Sequence, residues 1–302
     1  MLLQNSPDLQ ELLKENLKRV KTRVQVAALA SGIRKHRFDS TQMPMARAVL
    51  RHEAMVMTAI HIVATRKGTD AGLYAEYVLL YVAGTEGLKR LLLLSMLTDA
   101  GDESAIILRA QDRDQSDPAE TAFLIAQYVR RIQTLFIEGA CCRSGFTEVM
   151  LETLSRPMVY TVRGHPLQCG ARSGVPAEVV ASCLDRMKCW SRMAIAVAGA
   201  EFPDYTILYA MSAFRLVKSD LAARHTPDSV TQAGDASITE KLQTLATAFH
   251  VGEDELAMQF ANVRDLAQAV LPEHQNNERS AWRAAATTFE AGHWKSYIGV
   301  AS

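Results

Sequence analysis

The sequence has no surplus of charge of either sign: lysine plus arginine number 33, and aspartate plus glutamate number 33. A free-standing nucleic-acid binder ordinarily carries a basic excess, because phosphate contacts dominate its affinity. With no such excess, only a local basic face remains open to that role. Cysteines are few and odd in number, five, with Cys141 beside Cys142 and with Cys169, Cys183 and Cys189 apart. That spacing fits neither a disulfide framework nor a zinc ribbon, so free thiols in a reducing compartment are expected. The opening residues, Met1-Leu2-Leu3-Gln4-Asn5-Ser6-Pro7-Asp8, have no basic stretch followed by an apolar one, and no secretory signal is expected. Long apolar runs are lacking as well. The greasiest stretch, Leu73 to Leu97, is interrupted by Glu76, Glu86, Lys89 and Arg90, short of the ~18 residues a membrane span needs. It reads as a buried core helix, and no membrane partner is expected. Gly-rich phosphate loops, a serine nucleophile elbow and HExxH are all missing, so the chain is not expected to be an enzyme or to hold a cofactor.

What is present is helical punctuation. At 302 residues the chain is long enough to bury roughly three quarters of its unfolded surface in one or two domains. Ser6 and Pro7 open a first helix, along which Leu9, Leu13, Leu17, Val20 and Val24 line one face as far as Gly32. A second helix is expected from about Pro44 to Gly68, and a third after Thr69-Asp70, with close packing or a break at Gly84 and Gly87. Asp99-Ala100-Gly101-Asp102 reads as a turn, and Asp117-Pro118-Ala119-Glu120 as a capping box opening a helix to about Glu138. Ser237 with Glu240 is a second capping box, Gly252-Glu253-Asp254-Glu255 starts another helix, and Pro272 stops it. A last helix is expected over about Asn277 to Glu290. No alternating strand pattern exceeds five residues. The expected fold is therefore all-α: an irregular multi-helix bundle of one or two packed subdomains. Residues 1–155 form the N-terminal helical region, 156–175 a Pro- and Gly-punctuated linker, and 176–302 the C-terminal helical region.

Four groups of residues could carry chemistry. Asp99, Asp102, Glu103, Asp112, Asp114 and Asp117 are oxygen-rich, as a magnesium site would require. However, Pro118 places Asp117 at a helix cap, and no second aspartate-rich helix answers the first, so no metal site is expected. An isoprenoid-synthase-like enzyme working from this region would need these carboxylates to face one cavity. Glu290-Ala291-Gly292-His293 has the spacing of one di-iron ligand pair, but such a site needs two. His52 and His61, nine apart, are not in ligand register. The basic cluster Arg34-Lys35-His36-Arg37, ending on Phe38, reads either as a solvated loop or as a phosphate contact beside an aromatic able to stack on an unpaired base.

Arg37-Phe38-Asp39-Ser40 resembles the Arg-Trp-x-Ser element near the start of the α-helical insertion of hAT-type DNA transposases, with phenylalanine in place of tryptophan. Met96-Leu97-Thr98-Asp99, Leu108-Arg109-Ala110-Gln111-Asp112 and the helix from Pro118 are similar to that family's passages in order and spacing. So are Phe202-Pro203-Asp204, Leu208, Ala213-Phe214 and the run from Leu245 to Phe260. The likeness extends over roughly residues 15 to 290. It implies an insertion-domain relative without the family's strand-borne aspartates and without its Glu-Arg-x-Phe-Ser element. Such a protein has no strand-transfer activity of its own, since the metal-binding acids are missing. The resemblance further implies a nuclear location (cytoplasmic otherwise) and retained DNA binding, with Phe38 stacking on a base, Arg37 on phosphate, and Arg34 and Lys35 adding affinity for any sequence. The alternative is a helical protein–protein interaction scaffold with no nucleic-acid role. Oligomeric state is not legible.

Overall fold

The computed structural model describes residues 7–20, 42–111, 118–202, 205–216, 237–275 and 277–288. It is almost wholly helical, with one two-stranded sheet. The helices are α1 (Pro7–Arg19), α2 (Gln42–Leu50), α3 (His52–Thr65), α4 (Asp70–Tyr81), α5 (Gly84–Gln111), α6 (Pro118–Ile132) and α7 (Gly145–Leu154). After the hairpin β1 (Met158–Val162) and β2 (His165–Cys169) come α8 (Ala177–Glu201), α9 (Tyr205–Ala210), α10 (Ile238–Phe249), α11 (Glu253–Val270) and α12 (Glu278–Thr288). No helix among the described residues is long and apolar enough to cross a membrane. The all-α expectation holds.

The chain forms two compact units, one of residues 1–109 with 127–199, the other of residues 110–126 with 200–302. The boundaries therefore fall near the ends of α5 and α8 and inside α6, not between residues 156 and 175. That stretch, expected as a linker, is an antiparallel hairpin in which Met158 pairs with Cys169 and Val162 with His165. Tyr160, Val162 and Cys169 are buried in the core of the first unit. The strands escape detection because their residue types do not alternate: Met158–Val162 is apolar throughout except at Thr161. The turn is made by Arg163 and Gly164, both at positive φ, which leaves the alternate residues of β1 facing the helices.

In the first unit, α3 packs on α1 and α4, and α2 on α7. Leu79, Leu92, Met96, Ile132, Phe136, Met150, Leu154 and Val179 fill the centre. The helix expected from Pro44 to Gly68 is divided at Arg51, which leaves the helical region at φ −108° and ψ 8°. Between α4 and α5 the break is made by Gly84, whose φ of +64° only glycine adopts freely. Thr69 caps α4 as the sequence suggests, its hydroxyl accepting from the Gly72 amide at 3.1 Å. The described part of α1 ends at Arg19 rather than Gly32; Ser6 and residues 21–41 lie outside the described residues.

In the second unit, α10 packs on α9 and α11, and α11 on α12. Its core joins Leu245, Phe260, Val263 and Trp282. Phe214, Phe260 and Trp282 meet edge-on or tilted at 5.6–5.9 Å between ring centroids, and the Trp282 indole N–H donates to the Phe214 carbonyl at 2.6 Å. A buried tryptophan needs such an acceptor, because its N–H otherwise loses water without replacement. The Ser237/Glu240 capping box forms with both of its hydrogen bonds.

Candidate interaction surface

The carboxylates upstream of residue 112 do not converge. Asp99, Asp102 and Glu103 lie inside α5, which runs unbroken through the expected turn. Each is occupied by a different protein partner. Gln42 Nε2 donates to Asp102 at 2.9 Å, and Arg131 donates to Glu103 at 2.9 Å. Asp99 is buried and accepts from the Phe146 amide at 2.7 Å, the Thr147 amide at 3.0 Å and the Thr147 hydroxyl at 2.5 Å. The first amides of α7 are thus satisfied by a carboxylate from α5, a capping role performed from 47 residues earlier in sequence. Ser144, the residue preceding α7, makes no capping bond of its own. Burial holds the Asp99 carboxyl above its ordinary pKa, outweighing the hydrogen bonds from Thr147 and Phe146 that favour its charged form. Among the described residues no three potential ligands gather into a metal site. Asp112, Asp114, Asp117, Glu290 and His293 lie outside the described residues, and so do Arg34, Lys35, Arg37 and Phe38.

Two further titratable groupings are internal. His52 Nε2 lies 3.3 Å from Cys169 Sγ, with both residues buried. Burial lowers the His52 pKa to about 4 and pushes the Cys169 thiol up to about 12, so two neutral groups share one hydrogen bond. A thiolate–imidazolium pair, as a cysteine nucleophile would require, does not form there. Cys141 and Cys142 form the other grouping. The nearness of the two thiols raises the Cys141 pKa, with burial adding to the rise, and lowers that of Cys142, helped by Arg143 and opposed by partial burial. All five cysteines are free.

A groove of about 480 Å³ runs between α1 and α3 and is lined by Asp8, Leu9, Glu11, Glu15, His61 and Arg66. Asp8 and Arg66 pair across it at 3.6 Å, leaving a shallow, mixed-charge surface without an aimed polar group.

The strongest surface feature is α4. Gly72, Ala75 and Leu79 bury one side of this helix, and the opposite side carries Leu73, Tyr74, Tyr77, Leu80 and Tyr81, between 46% and 62% exposed. At 3.6 residues per turn these five side chains occupy about a third of the circumference, with Tyr77 at the middle of the stripe. The Tyr77 and Tyr81 rings stack at 6.1 Å between centroids. Arg90, from α5, lays its guanidinium 4.3 Å over the Tyr81 ring and donates to the Tyr81 carbonyl at 2.9 Å. On the buried side the Tyr160 hydroxyl donates to the Leu79 carbonyl at 2.8 Å. Two of the last carbonyls of α4, which have no partner within their own helix, are therefore satisfied from outside. On the border of the face, Arg163 donates to Glu76 at 2.8 Å.

The expectation of a buried core helix from Leu73 onward is thus correct for only one side of α4. A helix apolar all round offers no period from which to choose the buried side. The legible signal was the split by residue type, with small residues at 72 and 75 and tyrosines at 74, 77 and 81. Tyrosine pairs an apolar body with a polar tip and suits a face that is alternately wet and covered.

Comparison with protein-family models, with curated proteins and with solved structures gives no match. Fold and surface together define a class: an all-α, multi-helix protein in two units, with an aromatic helix face turned outward.

Proposed function

We propose that this protein is a helical interaction scaffold that docks a protein partner on the exposed face of α4. The observation that carries the reading is the stripe of Leu73, Tyr74, Tyr77, Leu80 and Tyr81 on a helix whose other side is already committed. The exposed halves of five large side chains amount to on the order of 500 Å² of nearly continuous, largely apolar surface, at the upper end of what monomers expose. Aromatics with an arginine at the margin are also the residue types enriched at the centres of protein interfaces, where charged side chains are depleted. The balanced charge of the chain supports the same reading. The test is a photo-crosslinking amino acid placed at Tyr77 and, as a control, at the exposed Glu253 of α11. Protein adducts are expected at the first position and not at the second; equal labelling at both, or none at Tyr77, removes the reading.

A second reading, favoured by the residue types of Arg34, Lys35, Arg37 and Phe38, is a transposase-derived helical protein that holds DNA without strand-transfer activity. It expects DNA affinity that weakens steeply with salt and falls in Phe38→Ala, whereas apolar docking responds far less to salt. Salt-insensitive binding, or no change in the variant, would count against it.

A further inference from the structure

We propose that the occupant of the α4 face is a second copy of this chain, docked antiparallel across a two-fold axis passing close to Tyr77. This rests on the reading of α4 as a docking surface, and charge placement carries it further. Asp70 stands at the N-terminal end of the helix, seven residues before Tyr77 and so on the same face. It is exposed and has no ion-pair partner among the described residues. At the other end the exposed Arg90 guanidinium sits over the Tyr81 ring. The stripe therefore carries a carboxylate at one end and the Arg90 guanidinium at the other, beside the Lys89–Glu86 ion pair, with tyrosines between.

Asp70 and Tyr81 are eleven residues apart, so the two charges lie ~16 Å apart along the helix, with Tyr74 and Tyr77 near the midpoint. A two-fold axis through that midpoint exchanges the ends. It sets Asp70 against the partner's Arg90 twice, while tyrosine meets tyrosine at the centre. A parallel pairing of the same faces instead brings like charges together, so the pattern is complementary to itself in one orientation only. The area agrees. Roughly 500 Å² from each copy gives about 1,000 Å² in total, the lower bound for a specific interface and the range of a reversible dimer.

Sedimentation velocity on the full chain, from low micromolar to the solubility limit, tests this directly. The wild type is expected to dimerise reversibly. Asp70→Arg and Arg90→Asp should each weaken the dimer by about tenfold or more, since each turns two attractions into two repulsions. An equimolar mixture of the two variants should form a heterodimer at concentrations where neither self-associates. The double variant should dimerise more tightly than either single variant, though short of the wild type because aspartate at 90 neither covers the Tyr81 ring nor donates to its carbonyl. A folding defect in either single variant cannot produce that rescue, and far-UV circular dichroism checks both. A wild type that stays monomeric throughout, or a mixture that does not associate, overturns the inference. The crosslinker at Tyr77 separates the two failures. Adducts to a different protein with a monomeric wild type keep the docking surface and reject the second copy, whereas no adduct of any kind rejects both.

Discussion

Replacing Asp99 with alanine is expected to destabilise the first unit by about 2–4 kcal/mol, the order expected when buried amide and hydroxyl donors lose their acceptor. The size follows from what is left behind. The Phe146 and Thr147 amides and the Thr147 hydroxyl all donate to this one carboxylate, and Thr147 is fully buried. Water does not reach the Thr147 donors without opening the contact between α5 and α7, whereas the Phe146 amide is half-buried. An ordinary exposed cap is worth about 1 kcal/mol, because solvent takes over when it is lost; this one is buried, so the larger figure applies. Asp99→Asn keeps one acceptor oxygen and should lose less. Gly145→Ala approaches the same site from the other side. Gly145 has φ +75°, and a Cβ there would collide with Asp99 Oδ1, so this substitution too should destabilise by about 1–3 kcal/mol with the carboxylate still in place. Urea unfolding followed by circular dichroism measures all three. A loss under about 1 kcal/mol in Asp99→Ala would show that the cap is dispensable.

Acidification from neutral pH to about pH 4 should cost the wild type roughly 3 kcal/mol more than it costs His52→Gln. The sign follows from burial. His52 titrates near 6.5 when exposed in the unfolded chain and at about 4 in the fold. Between these values the unfolded chain binds a proton that the folded chain does not. The stability associated with the neutral imidazole is therefore complete above about pH 6.5, declines as pH falls, and is lost once pH passes through about 4. Carboxylates contribute their own acid sensitivity to both proteins, which is why the difference between wild type and variant is the quantity to read. Glutamine retains a polar group opposite Cys169, 3.3 Å from His52 Nε2 in the wild type, but has no proton to gain. Parallel stability curves for the two proteins would mean that His52 is hydrated or already charged in the fold.

Much of the helical framework was legible before any coordinates, because its signals are local. The Ser237 hydroxyl and Glu240 carboxylate meet backbone amides within the same turn, Thr69 does likewise for α4, and Pro7 opens α1 where the sequence placed it. Proline at 272 ends α11 within two residues, since it has no amide to donate. These interactions span at most a few residues, so nothing distant is needed to read them.

Sequence patterns misled where local chemistry was overruled by a partner far along the chain. Asp99-Ala100-Gly101-Asp102 has the composition of a turn, yet it continues α5 because Asp99 spends its acceptors on amides of α7. The run from residue 156 to 175 has the glycines and prolines of a linker, yet its strands tuck Tyr160, Val162 and Cys169 into the core. Amino-acid order by itself determined that this protein is helical and where most of its helices start and stop. Which side of α4 meets solvent, that His52 is sealed beside Cys169, and that a carboxylate from α5 caps α7 were decided by tertiary packing alone. Burial and long-range hydrogen bonds join residues tens of positions apart, and no local rule encodes which of them will meet.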